Sequence, residues 1–154
     1  MQPPFGQKAK YRMKPISSVL NKRQGPTWSV QPNDSVYHAL EILAEHEVGA
    51  LMVMTGDQLV GIVSERDYTR KIALQGKNSK AETVASIMTA NVATVTPQTD
   101  TRTCMTLMRE RKIRHLPVMD GTKVLGMVSI RDLMDDIIED SEQTINQLEN
   151  YIKS

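Results

Sequence analysis

Two tetrapeptides carry the residue types best suited to chemistry, Ser64-Glu65-Arg66-Asp67 and Ser129-Ile130-Arg131-Asp132. Each closes a heptapeptide, GIVSERD (Gly61–Asp67) and GMVSIRD (Gly126–Asp132), and the two copies lie 65 positions apart. A serine that follows an apolar strand and opens a helix is an N-cap, its oxygen accepting a first-turn amide. An aspartate three residues on suits the same turn, where the helix dipole favours negative charge. Capping alone is worth roughly 1 kcal/mol per motif. The arginine fits that account less well, because a cation in the first turn is slightly disfavoured. A carboxylate accepts hydrogen bonds and donates none, so it can receive two hydroxyls, while amides, a hydroxyl and a guanidinium face an anion. Helix capping and ligand recognition are both open to these residues, and one side chain can do both.

The elements that position the motifs are themselves duplicated. Shifted by the same interval, Val30, Pro32 and Glu45 meet Val95, Pro97 and Glu110, and Leu51, Val53, Met54 and Gly56 meet Leu116, Val118, Met119 and Gly121. No gap is needed between residues 28–72 and 93–137. Self-similarity of this kind is an internal repeat. Each copy opens with a short apolar-polar segment, Ile16–Leu20 or Val84–Met88, then a brief strand, WSV or ATV, ended by Pro32 or Pro97. Apolar residues at helical spacing follow over Ser35–Glu47 and Asp100–Lys112. Two further strands flank a turn in ALMVM-TGDQ-LVGIV and HLPVM-DGTK-VLGMV, with Gly56 and Gly121 where a tight hairpin wants positive φ. A last helix starts at the motif. A half with a three-stranded sheet cannot cover itself, so packing the two sheets face to face is the physical reason for two copies in one chain.

This pattern resembles a tandem pair of CBS domains, the nucleotide-sensing Bateman module, from about Lys14 to Asp140; the stretch KIRHLPVMDGTKVLGMVSIRDL (Lys112–Leu133) is especially similar. The resemblance implies an α+β fold of two β-α-β-β-α repeats packed sheet to sheet with pseudo-two-fold symmetry, plus a C-terminal helical tail. The corresponding divisions are an N-terminal arm (1–13), a first repeat (14–80), a second repeat (81–140) and a C-terminal helix (141–154). It also implies a use for the motif: Asp67 and Asp132 receive a ribose diol, while Ser64, Ser129, Arg66 and Arg131 face phosphate. By position, adenine in the second cleft falls to Thr89, Asn91, Ala93 and Ile113 to His115. In the first cleft it falls to Gly25, Thr27 and Trp28 with Val48, Gly49 and Ala50. The family's phosphate-facing positions are Arg114 and His115, where the first repeat has uncharged Gly49 and Ala50. The clefts are therefore unequal: the first binds more weakly, holds another ligand or stays empty. Arg114 also reads as a solvated arginine, His115 as a core or edge histidine, and Trp28 as a buried strand residue.

Composition narrows the function. With 154 residues, 40% hydrophobic and 24% charged, and a net charge of +1, the chain is an ordinary globular protein without the basic surplus of a dedicated nucleic-acid binder. Aromatics make up 4%, too few for a base-stacking platform. The small basic arm of Lys8, Lys10, Arg12 and Lys14 reads as a solvated end. No apolar run reaches bilayer length, and no signal-peptide core is visible, so a cytoplasmic location is expected. Cys104 is the single cysteine, and His38, His46 and His115 lack ligand spacing, so no metal is expected. Ser-x-x-Asp supplies no base for a nucleophilic serine, which argues against an enzyme.

The leading expectation is a sensor that binds an adenosyl ligand, AMP first and ATP, ADP, NAD or S-adenosylmethionine next. It would act as a homodimer on an unidentified downstream protein. A dimeric interaction module with vestigial clefts, or a regulatory subunit of a separate enzyme, are the alternatives. In the tail, Ile138, Ile145 and Ile152 recur every seven residues, with Met134, Ser141 and Leu148 between them. That heptad pattern, interrupted by Ser141, either zips to a second subunit or packs on the module's own surface.

Overall fold

The computed structural model describes residues 14–23 and 26–153; the expected N-terminal arm and Gly25 lie outside them. The elements in chain order are α1 (Ile16–Lys22), β1 (Ser29–Val30), α2 (Val36–His46), β2 (Ala50–Thr55), β3 (Gln58–Ser64) and α3 (Glu65–Tyr68). A π-helical turn, Thr69–Ala73, continues α3. Then follow α4 (Val84–Ile87), α5 (Thr101–Arg111), β4 (His115–Asp120), β5 (Lys123–Ser129) and α6 (Ile130–Lys153). The fold is α+β, with one three-stranded and one two-stranded sheet.

The two repeats build their helices with matched devices. Ser35 Oγ accepts from His38 N at 3.0 Å to open α2, and Asp100 Oδ1 accepts from Thr103 N at 2.7 Å to open α5. Both helices stop at a residue in the left-handed region, Glu47 (φ 53°) and Lys112 (φ 54°), which occupy equivalent positions. The hairpins β2–β3 and β4–β5 turn at Gly56 and Gly121, each with φ 60°, as the turn residues require.

One compact unit contains residues 26–94 and 117–127. In it β1 runs parallel to β2 (Ser29 opposite Met52, Val30 opposite Val53), and β3 runs antiparallel to β2. The pleat sends successive β2 side chains to opposite faces. Leu51 and Val53 join Val36, Ala39 and Leu43 of α2, Val63, Ile72, and Val84 and Ile87 of α4 in the main core. Ala50 and Met52 pack with Met127 on the other face. Gly61 is dictated by close approach: a Cβ there would lie 2.6 Å from Met88 Sδ and 3.0 Å from Thr89 O.

The other unit contains residues 14–23, 95–116 and 128–153. Here α1 and α5 both pack on α6. Cys104 on α5 is fully buried, and burial first, the Asp100 carboxylate second, push its thiol up to about 11. Lys22 Nζ lies 2.9 Å from Asp136 Oδ1, and Lys14 Nζ lies 2.8 Å from Asp140 Oδ2, so buried carboxylates of α6 tie down the α1 segment.

The opening segments exchange places. Ile16 N donates to Thr99 O, and Thr101 N donates to Lys14 O, so α1 closes the second repeat. Val84 N donates to Asp34 O, and Val36 N donates to Glu82 O, so α4 closes the first. The expected strand ATV does not form. Val95 is buried in an isolated bridge position, and the second sheet has two strands. The physical reason sits at Pro117. Its counterpart in the first repeat, Met52, is registered with β1, and proline has no amide to offer at that place.

Candidate functional site

Both Ser-x-x-Asp motifs stand where a hairpin's second strand turns into a helix, and both are capping boxes in geometry. Ser64 Oγ accepts from Asp67 N at 3.2 Å, while Asp67 Oδ2 accepts from Ser64 N at 2.9 Å and from Ser64 Oγ at 3.0 Å. Asp132 N donates to Ser129 Oγ at 3.1 Å, and Asp132 Oδ2 accepts from Ser129 N at 2.8 Å. In each copy the cap engages one carboxylate oxygen and leaves the other turned elsewhere.

The segment after the preceding helix meets the motif through an equivalent bond in each repeat. Glu65 N donates to Gly49 O at 3.1 Å, and Ile130 N donates to Arg114 O at 2.8 Å. Register places Ala50 opposite Ser64. Thus Val48, Gly49 and Ala50 come together with Ser64 and Asp67, and Ile113, Arg114 and His115 with Ser129 and Asp132. Arg66 and Arg131 are exposed on their helices. Thr89 exchanges two backbone bonds with Ile62 at 3.0 and 2.8 Å, which fixes Thr89 beside β3; Asn91 is exposed and Ala93 half-buried in the same unit. Trp28 is half-buried against the core that contains β1, and its ring stacks on His46 at 3.5 Å with planes 5° apart. One face of the indole is therefore taken by an imidazole, a pairing not foreseen from sequence.

The two corners differ in charge. In the first, Lys71 Nζ stands 3.4 Å from Asp67 Oδ1 and also donates to Ile87 O at 2.8 Å. In the second, the position equivalent to Lys71 is Asp136, which is itself paired with Lys22. Arg114 is exposed and His115 half-buried. Burial pulls the His115 imidazole below its ordinary value; Asp132 opposes that pull, and Arg23 and Arg114 reinforce it. Arg23, the C-cap of α1, thus belongs to the electrostatic surroundings of His115. Nothing in its local sequence marks it, because only the exchange of opening segments brings α1 to the second repeat.

A separate open recess of about 400 Å³ is lined by Ser29, Gln31, Asp34, His38, Met54 and Gly56. It contains no motif residue. Among the described residues, no group of three His, Cys, Asp or Glu side chains is placed to hold a metal ion, and no helix is long and apolar enough to cross a membrane.

Comparison with known proteins agrees with this geometry. The family model for the CBS domain matches residues 16–74 and 84–139. The chain is 41% identical over 126 residues to the CBS domain-containing protein CBSX3, mitochondrial, of Arabidopsis thaliana, covering 79% of this chain and 61% of that relative. It spans less than two thirds of that relative's length. A solved structure of a protein with CBS domains from Burkholderia ambifaria superposes with a TM-score of 0.80 at 45% identity, covering 82% of this chain and 96% of the other. The CBS domain pair of protein MJ0100, solved in complex with 5′-methylthioadenosine and S-adenosyl-L-methionine, superposes with a TM-score of 0.69 at 25% identity, covering 80% and 94%. Two matched domains, two equivalent hairpins and two capped Ser-x-x-Asp corners lead to one assignment: the chain belongs to the CBS domain family and carries a tandem CBS pair.

Proposed function

We propose that the chain is a regulatory protein, not a catalyst, that binds an adenine nucleotide, AMP foremost, at the second repeat, and that it works as a cytoplasmic homodimer. The observation that carries this reading is Asp132. Its Oδ2 is held by the cap, while Oδ1 has no hydrogen-bond or ion-pair partner among the described residues. A carboxylate oriented in this way accepts ribose hydroxyls through the second oxygen without giving up its cap. Arg114 and His115, next to it, supply donors for a phosphate, and Arg23 adds charge. These donors favour AMP, ADP, ATP or NAD over S-adenosylmethionine, whose sulfonium is itself cationic. The adenosyl ligands of the MJ0100 pair support the ligand class. Occupancy regulates by binding one arrangement of the protein better than another, and it shifts the balance by no more than that difference.

Equilibrium dialysis tests this directly. AMP is expected to be retained, with retention weakened by about tenfold or more in Asp132→Asn, or about 1.4 kcal/mol. Asp67→Asn is expected to change it by about twofold, well under 1 kcal/mol. If AMP, ADP, ATP, NAD and S-adenosylmethionine all fail to bind at millimolar concentration, the sensor reading is wrong. The Lys71–Asp67 contact favours a second reading, a dimeric interaction module or regulatory subunit whose clefts are vestigial, and the same dialysis decides between the two.

A further inference from the structure

Helix α6 continues well past its last buried residue. Its buried positions are Leu133, Asp136 and Asp140, which share one face. From Ser141 through Lys153 every residue is exposed. A second, apolar stripe runs along Met134, Ile138, Ser141, Ile145, Leu148 and Ile152, at alternating steps of four and three. At about 100° per residue this stripe lies roughly 130° around the helix from the buried face. The packing of α6 on its own unit therefore leaves the stripe uncovered. Met134, Ile138, Ile145 and Leu148 are each 52–53% exposed, and Ile152 is 81% exposed.

The stripe has a heptad assignment that selects both strand number and direction. Ile138, Ile145 and Ile152 take position a, and Met134, Ser141 and Leu148 take position d. β-branched residues at a favour a two-stranded parallel coil when leucine-like residues occupy d. The flanks are one-sided in charge: position e is Asp135, Glu142 and Glu149, whereas position g is Ile137, Thr144 and Tyr151. In an antiparallel pair, e faces e, and carboxylates would oppose carboxylates along the whole contact. In a parallel pair, e faces g, and Glu142 and Glu149 of one copy meet Ile137 and Thr144 of the other. Like charges thus disfavour one direction and leave the other free.

We propose that residues 134–152 of α6 form a parallel two-stranded coiled coil with the same segment of a second copy of this chain. This deepens the homodimer part of the proposed function and is independent of which nucleotide binds. The contact is about 30 Å long at 1.5 Å per residue. Ser141 at d leaves a weak layer near its middle, so the Ile145, Leu148 and Ile152 layers contribute most.

The test uses the full chain. Sedimentation equilibrium is expected to give a dimer, and Ile145→Asp, at an exposed position, is expected to weaken association by about 100-fold or more, since an isoleucine is lost from both strands. In a Cys104→Ser background, Leu148→Cys should oxidise to a covalent dimer, because only a parallel coil sets position 148 against itself. A dimer that Ile145→Asp leaves intact, or in which Leu148→Cys cross-links only with Ile138→Cys on the other copy, overturns the parallel coil while the dimer stands. A wild-type monomer overturns both. Neither result touches AMP retention in dialysis.

Discussion

Lys71 holds the first repeat's Asp67 and has no counterpart in the second: its ammonium lies 3.4 Å from Asp67 Oδ1, and the equivalent position is the acidic Asp136. The oxygen that Asp132 keeps available is thus faced, in the first repeat, by the protein's own cation. Together with Gly49 and Ala50 in place of Arg114 and His115, this makes the duplicated corners chemically different although their backbones match.

Releasing Asp67 should therefore improve the first corner. In an Asp132→Asn background, where the second corner is impaired, Lys71→Met is expected to raise residual AMP affinity by about fivefold. The bound comes from the ion pair, which is partly exposed and worth at most about 1 kcal/mol. Isothermal titration calorimetry reads this directly, and unchanged affinity would show that Lys71 does not occlude the carboxylate.

His115 gives the protein a pH dependence whose sign is determined. Its folded-state value is lowered, so around its ordinary value of 6.5 the unfolded chain binds more protons than the folded one. Its contribution to stability is complete above that value and is lost as pH falls below it. Urea midpoints should drop between pH 7.5 and 5.5 more steeply in the wild type than in His115→Gln. A phosphate beside the ring acts in the opposite sense, favouring the protonated imidazole, so AMP affinity should increase over the same descent. Identical pH profiles for the wild type and His115→Gln would remove His115 from both effects.

The ion pairs that fasten α1 to α6 should contribute unequally. Asp136 is 6% exposed and receives Lys22 at 2.9 Å and Lys14 at 3.7 Å, whereas the Lys22 side chain is 44% exposed. Lys22→Ala leaves the buried Asp136 carboxylate without its 2.9 Å partner and is expected to cost about 2 kcal/mol, while Asp136→Ala leaves only a part-exposed ammonium that water solvates and should cost under about 1 kcal/mol. Denaturant titration of the two variants gives the order, and a larger loss at Asp136 would contradict it.

Glu47 and Lys112 occupy a left-handed conformation that glycine adopts without a Cβ penalty. Neither is buried. Lys112→Gly is expected to stabilise the fold by about 0.5–1 kcal/mol, the relief partly offset by glycine's greater unfolded-state entropy. Thermal unfolding of Lys112→Gly and Glu47→Gly measures it. Destabilisation by both would mean that side-chain contacts at these caps outweigh the backbone strain.

Much of this architecture was legible because it rests on local chemistry. Ser35 and Asp100 begin helices as N-capping residues do, Gly56 and Gly121 turn hairpins, and Ser64 and Ser129 cap where their spacing to aspartate indicates. What could not be read depended on distant partners. Nothing near Ile16 or Val84 tells that each segment closes the other repeat. Lys71 looks like any exposed helical lysine until its reach to Asp67 and Ile87 is seen. The stack of Trp28 on His46 joins residues from a strand entrance and a helix end. The strand ATV has suitable residues, but its ladder depends on position 117, where proline withholds the amide. Local pattern fixes turns and caps, and tertiary contacts decide which corner keeps a free acceptor.

Cys104 adds a practical consequence. A lone thiol sealed inside α5's packing, with its proton held up to about 11, offers almost no thiolate at neutral pH. An alkylating dye will therefore ignore the intact molecule and mark only those that have come apart. The chain carries its own clock for opening, and slower labelling with added AMP would time how firmly an occupant keeps the module shut.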